Sequence, residues 1–382
     1  MESFLKRSLL ALFGASVCIV QPLAVHVAQS ATLNTVNCSE VRLPVALAPG
    51  EPKQYEVYGQ LCGQSPLGDR TVQVLVSGTT YSHTYWDFPY QPENYSYVDA
   101  LTQAGYATFN IDRIGIGNSS RPPADQVTVT SNVYVLDQVV QGLRSGQVGG
   151  VPQSRIMLVG HSSGAFASVV GVASQDSDLA GVILSGFLHN QDFNWLDEFI
   201  DSFYPAQLDP RFSGQNLPEN YLTTRPGTRE SLFYEPSADP QVIALDEATK
   251  ATTTIGEATT NGAAIFADTS RQIRVPVFLA VGQYDGSFCT GTICESAENV
   301  AAFEANFFSP EAQLQTYVLP GAGHSMNLAV NASEWFEAAH QWSDRYVGAT
   351  TPPEAVPEPS TVLGVLALSA LGAASRWKRS VK

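Results

Sequence analysis

Short, nearly continuous apolar runs recur along the chain at 71–76, 107–111, 156–160, 181–185 and 275–281. Runs of that length and composition read as strands buried on both faces of a sheet. Two further runs, 54–62 and 314–319, also read as strands, the second alternating apolar with polar positions. Between them lie stretches with helical spacing, and the pattern predicts helices over 94–104, 132–145, 163–174, 296–307 and 332–347. The last places Asn331 as an N-cap with Glu334 three residues on, a capping-box-like start. Trp335, Ala339, Trp342 and Tyr346 form one stripe on it, which reads as core packing. Strands alternating with helices predict an α/β protein with a mostly parallel central sheet flanked by helices. The 382 residues, 44% hydrophobic, suffice for one such domain with an insertion.

That insertion is also visible in the pattern. The stretch after Ser185 is too long for a loop before the next strand. The expected organisation is an N-terminal extension and first strand over 31–70, a core over 71–186 and 273–348, and a cap over 187–272. The cap opens with Phe187, Phe193 and Trp195, followed by Phe199, Phe203 and Tyr204. These rings either line an apolar acyl or alcohol pocket or seal the cap onto the sheet. Tyr81, His83, Tyr85 and Trp86, just past the 71–76 strand, face the same two options, pocket entrance or packing.

One strand-to-helix junction carries chemistry. The run Ile156 to Val159 enters Gly160-His161-Ser162-Ser163-Gly164, and a helical stretch follows at once. On so sharp a turn the serine backbone is strained, its hydroxyl stands clear of the sheet, and a Cβ at either flanking glycine would strike a neighbouring element. A serine nucleophile of this kind is followed along the chain by an acid and then a histidine. Asp285 sits in the turn after the 275–281 strand, and His324 in the glycine-rich loop after the 314–319 strand. Of the six histidines, His26 lies in the leader, His83, His161 and His189 precede the acid, and His340 lies inside the last helix. His324 is the expected general base, with Asp285 fixing its tautomer and stabilising the imidazolium. The oxyanion would be held by the backbone N–H of Ser163 and by a second from the loop after the 71–76 strand. Thr79 is the expected residue, with Thr80 the alternative.

With these residues in view, the chain resembles the α/β-hydrolase superfamily. It is similar to a secreted bacterial branch with a Gly-Thr-Thr-Tyr-Ser-His-Thr-Tyr-Trp-like stretch, here Gly78 to Trp86. The loop Asp112-Arg113-Ile114-Gly115-Ile116-Gly117-Asn118-Ser119-Ser120 also matches the family pattern, and the likeness spans about residues 54–348. One departure is Ser77-Gly78 where many relatives carry His-Gly; it keeps the backbone donor and alters the loop's support. The resemblance implies hydrolysis of an ester or related acyl bond, with no metal or organic cofactor. The fold hosts many chemistries, so it leaves the substrate open. Amidase, peptidase, thioesterase and acyltransferase activities use the same machinery. A surface-displayed binding protein that kept the fold and lost catalysis is the reading from a different class.

Both termini read as addresses. Lys6-Arg7, the apolar run Leu9 to Val20 and Ala28-Gln29-Ser30 make a secretory signal peptide over 1–30. A Pro- and Glu-bearing linker, 349–360, leads to a sorting segment, 361–382, with an apolar stretch and the basic tail Arg376-Trp377-Lys378-Arg379. It resembles the PEP-CTERM sorting signal of bacteria, which an exosortase reads. Its short apolar stretch suits a transient membrane anchor cut near Pro359 better than a permanent span. Export fits the cysteines. Cys18 lies in the leader, and Cys38, Cys62, Cys289 and Cys294 remain. In an oxidising compartment neighbours are expected to pair, Cys38–Cys62 and Cys289–Cys294, although two other connectivities exist. A zinc half-site at Cys289 and Cys294 lacks completing ligands in the sequence.

Residues 31–360 carry 35 acidic against 14 basic residues. Such a surface disfavours nucleic acid and anionic lipid, and favours uncharged or cationic esters over anionic ones. No phosphate loop, metal cluster or internal repeat is present in the sequence.

Overall fold

The computed structural model describes residues 36–265 and 268–350. The signal-peptide and sorting-segment readings fall outside them. Strands β1 (Val36–Val45), β2 (Tyr55–Gln64), β3 (Val72–Val76), β4 (Ala107–Ile111), β5 (Ile156–His161), β6 (Gly181–Ser185), β10 (Val277–Gly282) and β11 (Gln315–Leu319) build the main sheet. A three-stranded antiparallel sheet holds β7 (Phe203–Pro205), β8 (Tyr221–Thr224) and β9 (Thr253–Thr254). The helices are α1 (Pro92–Tyr95), α2 (Tyr97–Gln103), α3 (Val129–Arg144), α4 (Ser162–Ala173), α5 (Phe193–Ser202), α6 (Arg229–Phe233), α7 (Pro240–Thr249), α8 (Ile255–Ile265), α9 (Ala297–Glu304) and α10 (Ala332–Tyr346).

The main sheet runs β1-β2-β4-β3-β5-β6-β10-β11. From β4 to β11 every neighbour is parallel, and β2 joins β4 and β1 antiparallel. Because side chains alternate across a strand, the two faces collect different residues. Val72, Val74, Ile156 and Leu158 point to one buried cluster, shared with α3 and α4. Leu75, Met157, Val159 and Phe278 point to the other, shared with α2 and α10. The sheet is thus covered on both sides, as its apolar strands require.

The differences from expectation have local causes. Strand β1 is extra. Most of it is exposed, so its sequence alternates weakly, yet it pairs along its full length with β2. Cys38 lies directly opposite Cys62 in that register, and the two are bonded, as are Cys289 and Cys294. The single helix expected over 94–104 is broken at Ser96, whose hydroxyl accepts from the Asp99 N–H and caps α2. The expected capping box at α10 is absent. The Asn331 side chain caps nothing and instead donates to the Pro320 carbonyl, 3.1 Å away. The start of the expected linker is tied to the core, with Ala349 accepting from Thr71 N–H at 2.8 Å. Among the described residues no helix is long and apolar enough to cross a membrane.

Between β6 and β10 the chain leaves the sheet and forms α5 to α8 and the small antiparallel sheet. Two buried ion pairs knit this insertion. Arg229 holds Asp246 through Nε and Nη2, both at 2.9 Å, and Lys250 reaches Asp209 at 2.8 Å. Arg229 also donates to Thr80 Oγ1 at 2.9 Å, which fastens the insertion to the loop after β3.

Candidate active site

Strand β5 delivers the chain into α4 through Ser162, whose φ is +63°. A left-handed backbone is costly for a non-glycine residue and persists only where surrounding packing enforces it. That packing is close. A Cβ at Gly160 would lie 3.0 Å from Val169 Cγ2 and 3.3 Å from Ala165 Cβ on α4. A Cβ at Gly164 would lie 2.6 Å from the Thr79 backbone nitrogen. The first glycine lets the helix fold back on the strand, and the second lets the loop after β3 approach the serine.

Three side chains from three strand ends meet here. His324 Nε2 is 2.9 Å from Ser162 Oγ, and His324 Nδ1 is 2.9 Å from Asp285 Oδ2. Asp285 is fully buried and its other oxygen accepts from the Ser287 N–H at 3.0 Å. The turn after β10 is further held by the Cys289 N–H on the Asp285 carbonyl, 2.9 Å, beside the Cys289–Cys294 bond. The rings of Trp195, Phe233 and Phe288 stand 5.6–6.0 Å from the His324 ring and shield it from water.

The first candidate for the second oxyanion donor is Thr79. Its nitrogen faces the Gly164 position, and the residue lines a cavity. Thr80 is fully buried, with φ +62° and its hydroxyl committed to Arg229. Ser163 follows the nucleophile at the start of α4, where backbone N–H groups have no helical partner.

Sequence reasoning missed two residues. Arg113, buried in the loop after β4, donates from Nε to the Ser77 carbonyl at 2.9 Å and from Nη2 to the Gly78 carbonyl at 3.1 Å. Its guanidinium also pairs with Glu257 on α8. Ser77 Oγ donates to the Tyr81 carbonyl at 2.9 Å. Together these support the loop that carries Ser77 in place of histidine. The available signal for Arg113 was its place in the Asp112–Ser120 loop. The second residue is His161, fully buried under the nucleophile, stacked on Tyr85 at 4.3 Å and 5.0 Å from the His324 ring. Burial, and then the neighbouring His324, push its pKa well below the ordinary histidine value. It stays neutral and adds no charge against an imidazolium at 324.

Tyr81, Tyr85 and Trp86 are buried in the core cluster and do not form a pocket entrance. His83 turns to Asp112, its Nδ1 2.8 Å from Oδ1. Among the aromatics of the insertion, Phe187 is core, whereas Trp195, Phe199 and Phe203 line a cavity of about 410 Å³ together with Thr79, Leu196 and Ile200. An apolar chamber therefore opens beside the candidate oxyanion donor.

Residues 73–339 match the profile of the "Alpha/beta hydrolase family", and residues 355–379 match the "PEP-CTERM protein-sorting motif". No curated protein sequence matches the chain. Among solved structures the chain is similar to a thermophilic esterase from Thermogutta terrifontis, with 19% identity, 81% of this chain and 99% of that one covered, and a TM-score of 0.53. A soluble variant of monoglyceride lipase from Saccharomyces cerevisiae gives 19% identity, coverage of 81% and 97%, and a TM-score of 0.53. A carboxylesterase structure from the ammonia-oxidizing thaumarchaeon Nitrososphaera gargenis gives 14%, 80% and 98%, and 0.53.

Proposed function

Because the chain belongs to the alpha/beta hydrolase family, we propose that it is an exported serine hydrolase that cleaves carboxylic esters through an acyl-enzyme on Ser162. The observation that carries this reading is the unbroken hydrogen-bonded series Ser162–His324–Asp285, at 2.9 Å for each step, on a strained strand-to-helix turn. His324 takes the Ser162 proton as Oγ attacks the ester carbonyl. Asp285 steadies the imidazolium, and the N–H groups of Thr79 and Ser163 hold the oxyanion. Return of the proton to the alkoxide leaving group gives the acyl-enzyme. His324 then activates a water, which releases the acid and restores Ser162. The apolar chamber beside Thr79 would take an uncharged acyl or alcohol chain. The PEP-CTERM motif supports export, surface association and processing by an exosortase-type enzyme.

A fluorophosphonate probe tests the chemistry. The wild-type chain is expected to be labelled, and Ser162→Ala is expected to lose both labelling and at least about a thousandfold of p-nitrophenyl ester turnover. A folded wild-type chain that resists the probe and hydrolyses no ester would leave a binding protein on a hydrolase fold.

A further inference from the structure

A second cavity, of about 520 Å³, shares no lining residue with the apolar chamber. It lies between the loop after β4, the Asp209–Gln215 segment and the end of α7. Its walls are rich in hydroxyls and amides, including Ser82, Thr84, Asn118, Gln215 and Thr252. Four basic residues reach it, and two of them are already neutralised. Lys250 Nζ is 2.8 Å from Asp209 Oδ2 and 2.5 Å from Glu247 Oε1, and His83 rests on Asp112.

The other two are different. Arg121 donates from Nη2 to the Gly117 carbonyl at 2.8 Å, and its buried Nε has no partner among the described residues. Arg211 lies 5.6 Å over the ring of Phe212. Among the described residues neither guanidinium has a carboxylate. Burial lowers the pKa of Arg121 most, Tyr221 and the nearby Asp112 carboxylate oppose that, and the charge of Arg211 adds a smaller push downward, which places the two guanidinium groups on the same cavity. In a chain with 36 acidic and 20 basic residues, two arginines that make no ion pair among the described residues sit on one polar cavity, where their donors can meet an anion. A guanidinium fork suits carboxylate and phosphate oxygens.

We infer that this cavity binds a small hydroxylated anion, a carboxylate or phosphate on a polyol body, whose charged group is gripped by Arg121 and Arg211. The hydroxyl-bearing walls suit the polyol, and the volume lies within the usual range for small-molecule sites. The site is independent of the Ser162 chemistry.

Calorimetric titration of the full chain with glucuronate, glucose 6-phosphate and glucose tests it. At least one of the two anions is expected to bind about tenfold or more tightly than glucose, since hydrogen bonds to charged groups contribute that much. The tighter anion identifies the preferred oxygen group, and added salt weakens it. Arg211→Met, whose side chain is exposed and holds no backbone group, is expected to lower that affinity about tenfold while p-nitrophenyl acetate hydrolysis stays unchanged. Arg121→Met is expected to do the same. If its lost bond to Gly117 unfolds the chain, Arg211→Met alone decides. No saturable binding of either anion, or undiminished binding in Arg211→Met, overturns the inference.

Discussion

At the scale of single residues, the oxyanion role proposed for Thr79 asks the loop after β3 to keep that N–H aimed beside Ser162, and a buried arginine braces the loop. Arg113 bonds the carbonyls of Ser77 and Gly78, the two residues just before Thr79. It touches no reacting atom in this arrangement, so its effect on rate would pass through the loop. Arg113→Met is expected to lower kcat about 10- to 100-fold, a fraction of the roughly 100- to 1000-fold typical of losing an oxyanion donor outright. KM for a short p-nitrophenyl ester should stay nearly constant, because the substrate's ground state does not use that donor. The variant also leaves Glu257 buried without its cation, which costs stability. A kcat change that merely tracks the folded fraction in a denaturation curve would refute the positioning role. The meeting of Ser162, His324 and Asp285 was legible because each sits where a strand ends in glycine-rich sequence. Arg113 was visible as a matching letter in the Asp112 to Ser120 loop, but its partners are carbonyls 35 and 36 residues away, and no local pattern reports those.

At the scale of elements, legibility followed burial. Strands β3, β4, β5, β6 and β10 are buried at every position and stood out as apolar runs. Edge strand β1 exposes most of its side chains, and its hydrogen bonds to β2 leave no periodic trace. In the insertion, β7, β8 and β9 are two to four residues long, too short for a period to show. What the insertion does show in sequence is its aromatic content, and helix α5 turns that content into shape. Trp195, Leu196, Phe199 and Ile200 fall at helical spacing on the chamber wall, while Asp197, Glu198 and Asp201 take other positions. Ile200 is about half exposed there, so a larger side chain fits at the chamber wall without invading the core. Ile200→Trp is therefore expected to cut kcat/KM for octanoate and longer p-nitrophenyl esters about tenfold, in keeping with the energy of a few buried methylenes. Acetate hydrolysis should hardly change. Equal losses across the chain-length series would show that the chamber does not receive the acyl group.

At the scale of the whole molecule, charge and burial together set how the fold answers to pH. The acid-rich surface raises solubility away from the isoelectric point, calculated near 4.7, and self-repulsion should relax as pH falls toward it. Two histidines, half-buried His83 and buried His161, act in opposite senses. Burial pulls the pKa of His83 down, but its hydrogen bond and charge contact with Asp112 outweigh that and leave it raised. Its contribution is full below the ordinary histidine pKa and fades as pH rises through the raised value. His161 is the reverse. The native state keeps it neutral, so below the ordinary 6.5 the unfolded chain gains a proton that the folded chain refuses. Stability from this site is therefore complete above about pH 6.5 and is lost as pH drops, by at most ~1.4 kcal/mol per pH unit. His161→Phe keeps a ring to stack on Tyr85 and removes the titration. Urea unfolding at pH 7, 6 and 5 should show the wild type losing stability more steeply than the variant, whatever their offset at pH 7. Parallel curves would mean that the buried imidazole under the nucleophile takes up its proton without opposing the fold, and the neutral partner assigned to His324 would have to be abandoned.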